Sequence, residues 1–295
     1  MNNIKVFCQT SNDVELGFKS FTFPGGEIGV KFDQEPIRPF GNKHELTIVL
    51  RAKDASDLIE LAMVKDAIQR QFHPTIVNLI LPYIPYARQD RVCDAGESFS
   101  LKVFAGYLNY LNFNKVTVYD PHSDVAPALI DRVEVITQTR TIENFSVLWS
   151  KLRFADEKPL IVSPDSGANK KVTKTAVAAC HANFIQCDKV RELSTGKIIK
   201  TVVHAEKEQL LGREVIILDD ICDAGATFIE LAKVLKEKGA ASVGLYVTHG
   251  IFSRGLDHLF NNGIDQVFTT NSLIDAKAAN EYKKYGTKVQ LHYLI

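Results

Sequence analysis

Val215-Ile216-Ile217-Leu218-Asp219-Asp220-Ile221-Cys222-Asp223-Ala224-Gly225-Ala226-Thr227 is the stretch whose reading decides the fold. Its apolar start, residues 215–218, reads as a strand buried on both faces, as parallel strands are. Asp219 and Asp220 follow at the strand tip, and a loop of small residues then opens an amphipathic helix over 228–238. Phe228, Leu231, Ala232 and Leu235 share one face of that helix, and Gly239 stands where a C′ glycine would stop it. Open parallel sheets bind ligands just beyond the carboxyl ends of their strands. Loop amides and a helix N-terminus suit a phosphate, and carboxylates just upstream accept hydrogen bonds from sugar hydroxyls. A phosphorylated sugar satisfies both ends of the stretch. The competing reading, a Walker-type metal pair at Asp219 and Asp220, needs a P-loop, and the chain has none; nor has it a GxGxxG fingerprint.

The same alternation extends outward. Short Val- and Ile-rich runs at 46–50, 75–81, 115–119, 134–137, 160–163, 242–248 and 266–270 read as further strands. Amphipathic stretches lie between them; in 57–72, Leu58, Leu61, Ala62 and Ile68 share one face. Strand–helix alternation of this kind predicts α/β architecture with mainly parallel sheets. The pattern runs twice, and with 295 residues the chain is long enough for two cores, one over 1–145 and one over 146–295. No Ser/Gly-rich or Pro-rich linker marks the boundary.

Composition narrows the function classes. Thirty-five Lys plus Arg balance 35 Asp plus Glu, so the chain lacks the basic excess of a bulk nucleic-acid binder. No apolar run approaches the ~20 residues of a membrane span, so neither nucleic acid nor membrane is an expected partner. The first residues, MNNIKVFCQTSNDVELG, lack the apolar core of a secretory signal. Five cysteines without a CxxC pair argue against a disulfide framework or zinc ribbon, and the expected setting is a reducing cytoplasm. The metal-like group Cys180, His181 and Cys187 reads as structural.

The acidic loop with Gly225 and Thr227 resembles the ribose-phosphate loop of type I phosphoribosyltransferases. Four further segments narrow the resemblance: Tyr86-Ala87-Arg88-Gln89-Asp90, Asp120-Pro121-His122, Val162-Ser163-Pro164-Asp165 and Thr248-His249-Gly250-Ile251-Phe252-Ser253. Together they resemble the ribose-phosphate diphosphokinase, or phosphoribosyl pyrophosphate (PRPP) synthase, family, in order from Phe23 to about Asn271. The resemblance implies two tandem phosphoribosyltransferase-like (Rossmann-like) domains, with ATP motifs in the first, the ribose 5-phosphate loop in the second and the active site between them. It also implies the reaction. The diphosphoryl group of MgATP passes to the anomeric hydroxyl of ribose 5-phosphate, giving PRPP and AMP.

Site roles follow from the same resemblance. His122 and Asp165 would hold Mg²⁺, although hard cations favour oxygen over nitrogen. Asp165, Ser166, Gly167 and Ala168 resemble the pyrophosphate loop. Asp219, Asp220, Asp223, Ala224, Gly225, Ala226 and Thr227 would bind ribose 5-phosphate. Arg88 and Gln89 match ATP contacts, and an Arg fork suits phosphate oxygens. Phe23 and Glu27 match the adenine loop, which in the family reaches a neighbouring subunit and so implies a homodimer or higher homo-oligomer. Lys189 and Arg191 match the catalytic pair, closing over the transferring group with the polar stretch 192–197 behind them. Without the resemblance, His122 reads as a core or capping histidine, Arg88 as a surface residue and Lys189-Val190-Arg191 as a solvated strand end.

Three departures carry expectations of their own. Where the family usually has Asp-Thr-x-Gly-Thr, this chain has Asp223-Ala224-Gly225-Ala226-Thr227, which predicts a loop shifted around Gly225 and altered recognition of the 5-phosphate. Residues 91–98, with Asp94 and Glu97, suit an anion poorly and predict weak or absent regulation by phosphate and ADP. Gly25 replaces a carboxylate or amide in the adenine loop, which predicts loose purine selectivity. Two other functions stay open at this level, a catalytically silent regulatory subunit and a PRPP-consuming phosphoribosyltransferase.

Overall fold

The computed structural model describes residues 3–8, 14–33, 45–181, 184–191 and 198–295, without the side chains of 190, 191 and 198–200. Arg191's side chain and the polar stretch 192–197 therefore lie outside the described residues. The chain divides into two compact units, Met1–Ile136 and Thr137–Ile295. The division falls upstream of 145/146 because Ile142, Phe145, Leu148 and Leu152 pack into a core of the second unit.

In the first unit, β1 (Ile4–Cys8), β2 (Val14–Glu15), β5 (Glu45–Leu50), β6 (Ile76–Leu81), β7 (Lys115–Tyr119) and β8 (Val133–Ile136) form a sheet ordered β2-β1-β5-β6-β7-β8. Strands β5 to β8 are parallel, whereas β1 runs antiparallel to both β2 and β5. A separate hairpin joins β3 (Phe18–Thr22) to β4 (Ile28–Phe32). Helix α1 (Ala55–Phe72) starts on a capping box in which Asp54 and Asp57 satisfy first-turn amides, and it buries Leu61, Val64 and Ile68. Helix α2 (Ser100–Tyr110) buries Leu101, Phe104, Ala105 and Leu108 into the same core.

The second unit carries the longer sheet. Its strands are β9 (Leu160–Ser163), β10 (Ile185–Arg191), β11 (Ile198–Val203), β12 (Glu214–Cys222), β13 (Ser242–Gly250), β14 (Gln266–Thr270) and β15 (Val289–His292). Their order is β11-β10-β9-β12-β13-β14-β15, parallel throughout except for β11. From β9 the chain steps to β10 on one side, and β12 then returns to β9's other side. The strand order thus reverses at β9/β12, the switch point where ligands of open sheets bind. The two crossovers run in opposite directions, so right-handedness places their helices on opposite faces. Helix α6 (Asn169–Ala178) packs Val172 and Ala176 against Ile161, Ile216, Leu218 and Tyr246. Helix α8 (Ala226–Glu237) packs Phe228, Leu231 and Leu235 on the face of Val215, Ile217 and Val247.

Strand β12 runs past Leu218 to Cys222, so Asp219 and Asp220 lie within the strand and not beyond its tip. The reason is lopsided pairing: β9 accompanies β12 only to Ile217, whereas β13 continues beside it through Cys222 and Gly250. Asp219 and Asp220 consequently sit on opposite faces, with their β9 side open.

Candidate active site

Each unit places expected site residues at the carboxyl edge of its sheet. In the first, the turn after β6 holds Arg88 and Gln89 exposed and Ala87 buried, with Tyr86 at φ 62°. Gln89 N–H donates to Tyr86 O at 2.9 Å, which closes that turn. Asp90 is buried and bonds to Arg91 at 3.2 Å. Burial raises its pKa, but the Ser123 hydrogen bond and the charges of Arg91 and His122 outweigh that and lower it. His122 and Asp90 are thereby brought together, with His122 exposed after β7 and not buried as a core histidine.

The hairpin β3–β4 turns through Pro24-Gly25-Gly26, with Gly26 N–H on Phe23 O and Phe23 N–H on Glu27 O, both at 2.8 Å. Gly26 has φ +94°, the left-handed residue that closes a three-residue hairpin loop. Phe23 is exposed at the tip, its ring 5.1 Å from Phe21. A side chain at Gly25 would run into the Glu27 carboxylate as it is placed here. In 91–98, Glu97 turns its carboxylate inward to accept from the amides of Cys93 and Asp94, at 2.9 and 3.2 Å.

The second unit concentrates charge at the β9/β12 switch point. Asp165 follows β9 and accepts from Ala168 N–H at 3.1 Å, placing its charge at the start of α6. Strand β10 pairs with β9 only through Ile185 and Gln186, so it runs on beyond β9 and carries Lys189 over the gap. Lys189 Nζ reaches Asp165 Oδ2 at 2.6 Å, and its side chain is only 11% exposed. It is not a solvated strand end. Burial acts to raise the Asp165 pKa, but Lys189 and the Ala168 and Gly167 amides hold it below the ordinary carboxylate range.

Asp219 behaves in the opposite way. Burial, then the charge of Asp220, then that of Asp165, push its pKa well above the usual value. Asp220 is buried, and Lys171 Nζ approaches its Oδ2 at 3.7 Å from the first turn of α6. Lys171 was missed in the sequence, although a lysine in the first helical turn after Asp165, against the helix dipole, was a readable signal.

Asp223, Ala224 and Thr227 are half-buried beside this cluster, and Ala226 is exposed. Gly225 carries the positive φ, +84°, and α8 begins at Ala226, which is not among the residues of positive φ. A Cβ at Gly225 would overlap Leu259. Cys222 O accepts from Ile251 and Phe252 amides at 2.9 and 3.1 Å, so the segment after β13 backs this loop.

Cys180, His181 and Cys187 do not assemble. His181 Nε2 bonds to Leu152 O at 2.8 Å, Cys180 lies by Arg153, and burial pushes the Cys187 thiol up to about 12. Among the described residues, no three His, Cys, Asp or Glu side chains form a group that could hold a metal ion. No described helix is long and apolar enough to cross a membrane.

Fold and site define a class: a two-unit α/β protein of mainly parallel sheets, with carboxylates and lysines gathered at the switch point of the second sheet. Residues 201–290 match the phosphoribosyl synthetase-associated domain. The ribose-phosphate pyrophosphokinase of Aquifex aeolicus is 31% identical over 92% of this chain and 88% of its own length. That of Vibrio parahaemolyticus is 30% identical over 88% and 80%. The chain belongs to the ribose-phosphate pyrophosphokinase family and is an enzyme of that kind. Phosphoribosylpyrophosphate synthetase from Mycobacterium smegmatis shares the fold, with a TM-score of 0.75 at 24% identity over 95% of this chain and 86% of that one.

Proposed function

We propose that the enzyme transfers the β,γ-diphosphoryl group of ATP to the anomeric hydroxyl of ribose 5-phosphate. The anomeric oxygen attacks the β-phosphorus, the bond from that phosphorus to the α,β-bridging oxygen breaks, and AMP leaves with that oxygen while the hydroxyl proton passes to solvent. The observation that carries this reading is the pairing of adjacent Asp219 and Asp220 with the Asp165–Lys189 ion pair at one switch point. The carboxylates accept from the sugar hydroxyls, and the amides after Asp165 take the diphosphate. Lys189 and Arg191 neutralise charge that builds in a transition state catalysed largely by positioning. Arg88 and Gln89 hold ATP phosphates, Phe23 stacks on adenine and Glu27 accepts from its amine.

Asp165 offers the oxygen that Mg²⁺ favours, and His122 a nitrogen ligand. With no preformed three-residue cage among the described residues, Mg²⁺ would keep water and phosphate oxygens as its remaining ligands, its usual state. When bound, it supplies charge neutralisation across the ATP phosphates. The exposed Phe21 and Phe23 at the hairpin favour a homo-oligomer in which this tip reaches a second copy. A silent subunit is disfavoured because the charged groups are in place, and a phosphoribosyltransferase because one such unit would suffice.

The test is AMP release with ribose 5-phosphate. Lys189→Ala is expected to lower kcat on the order of 10²–10³-fold with ATP binding retained. Equal activity would remove Lys189 from the mechanism.

A further inference from the structure

Three carboxylates, Asp165, Asp219 and Asp220, stand near the ends of β9 and β12; Asp220 is buried, and a buried charge needs a cationic partner. Lys189 is engaged by Asp165 at 2.6 Å. On the α6 face, Lys171 stands 3.7 Å from Asp220, with side chains 25% and 7% exposed. Its position costs the helix: Lys170 and Lys171 both occupy the first turn of α6, which has no acidic residue, so their charges oppose the dipole. Asp220 lies in the part of β12 beyond Ile217, where β9 no longer accompanies the strand.

We propose that Lys171 is a positioning residue for the pentose: its ammonium, 3.7 Å from Asp220 Oδ2, fixes the orientation in which the Asp220 carboxylate takes sugar hydroxyls. The inference rests on the proposed binding of ribose 5-phosphate at Asp219 and Asp220. Because Lys171 acts through Asp220, its loss weakens sugar binding selectively and leaves nucleotide binding alone.

Steady-state AMP release measured against each substrate tests this in wild type, Lys171→Met and Lys171→Arg. Lys171→Met is expected to raise KM for ribose 5-phosphate about tenfold or more, the scale of a lost charge-assisted contact, with KM for ATP within about twofold. Lys171→Arg restores most of the loss, since it returns the charge. If Lys171→Met fails to fold by circular dichroism, Lys171→Gln carries the same expectation. An unchanged KM for ribose 5-phosphate, equal rises for both substrates, or no rescue by Arg overturns the positioning role. A wild-type enzyme that releases no AMP with ribose 5-phosphate overturns instead the proposed function on which it rests.

Discussion

Asp165 and Asp219 lie within reach of each other's charge yet shift in opposite directions, and the sign of each has consequences for stability. Both start from an ordinary value of 3.8. Asp165 falls below it, so its ion pair stabilises the fold above that value and the contribution is lost as pH drops through the lower folded pKa. Asp219 rises above it, so the folded state holds its proton more tightly than the unfolded chain does. Stability from this group is present at low pH and lost as pH climbs through the raised pKa. Asp219→Asn is therefore expected to raise the thermal midpoint at pH 7 and to match wild type below pH 3.8, while weakening ribose 5-phosphate. Melting curves across that range check it; a variant no more stable at pH 7 would mean that Asp219 is not strained by its neighbours.

At the scale of elements, the loop between β12 and α8 is built around one glycine. Gly225 combines a left-handed φ of +84° with the absence of a Cβ where Leu259 sits. Gly225→Ala should cost at least the roughly 1–2 kcal/mol of left-handed strain, read by denaturant unfolding. Leu259→Ala in the same chain should relieve the steric part, so the pair costs less than the sum of the singles. Full additivity would mean that the collision relaxes at no cost. One residue earlier, Ala224 removes a hydroxyl donor, and Ala224→Thr is expected to tighten ribose 5-phosphate by titration calorimetry; unchanged affinity counts against a loop adapted to its sequence. The helix that follows stops as its sequence promised. Gly239 at φ +102° donates to Lys236 O and Ala240 donates to Leu235 O, at 2.9 and 3.0 Å, a Schellman motif.

At the scale of the whole molecule, each unit has its own apolar interior. Residues 137–295, with a layer packed on each face of the sheet, are expected to melt cooperatively when expressed alone. Neither this fragment nor 1–136 should release AMP, because the proposed ATP contacts and the pentose grip lie on different fragments. Circular dichroism and an AMP assay on each fragment decide both points: a non-cooperative melt rejects the first, and activity in one fragment rejects the second.

What could be read without coordinates was whatever is local in chain order. Buried parallel strands announce themselves as continuous Val/Ile runs, so β7, β9 and β14 fall where the pattern puts them. The acidic stretch, the glycine stop and the motifs around Arg88, His122 and Asp165 are equally local. The antiparallel strands β1, β2 and β11 and the end of β12 were not legible, because they depend on which neighbour offers a hydrogen-bonding edge. Only folding brings Lys189 to Asp165 across 24 residues, or sets Lys171 against Asp220. Those pairings arise where strand order reverses, and charge at such a place is decided by through-space distance, which no spacing along the chain encodes.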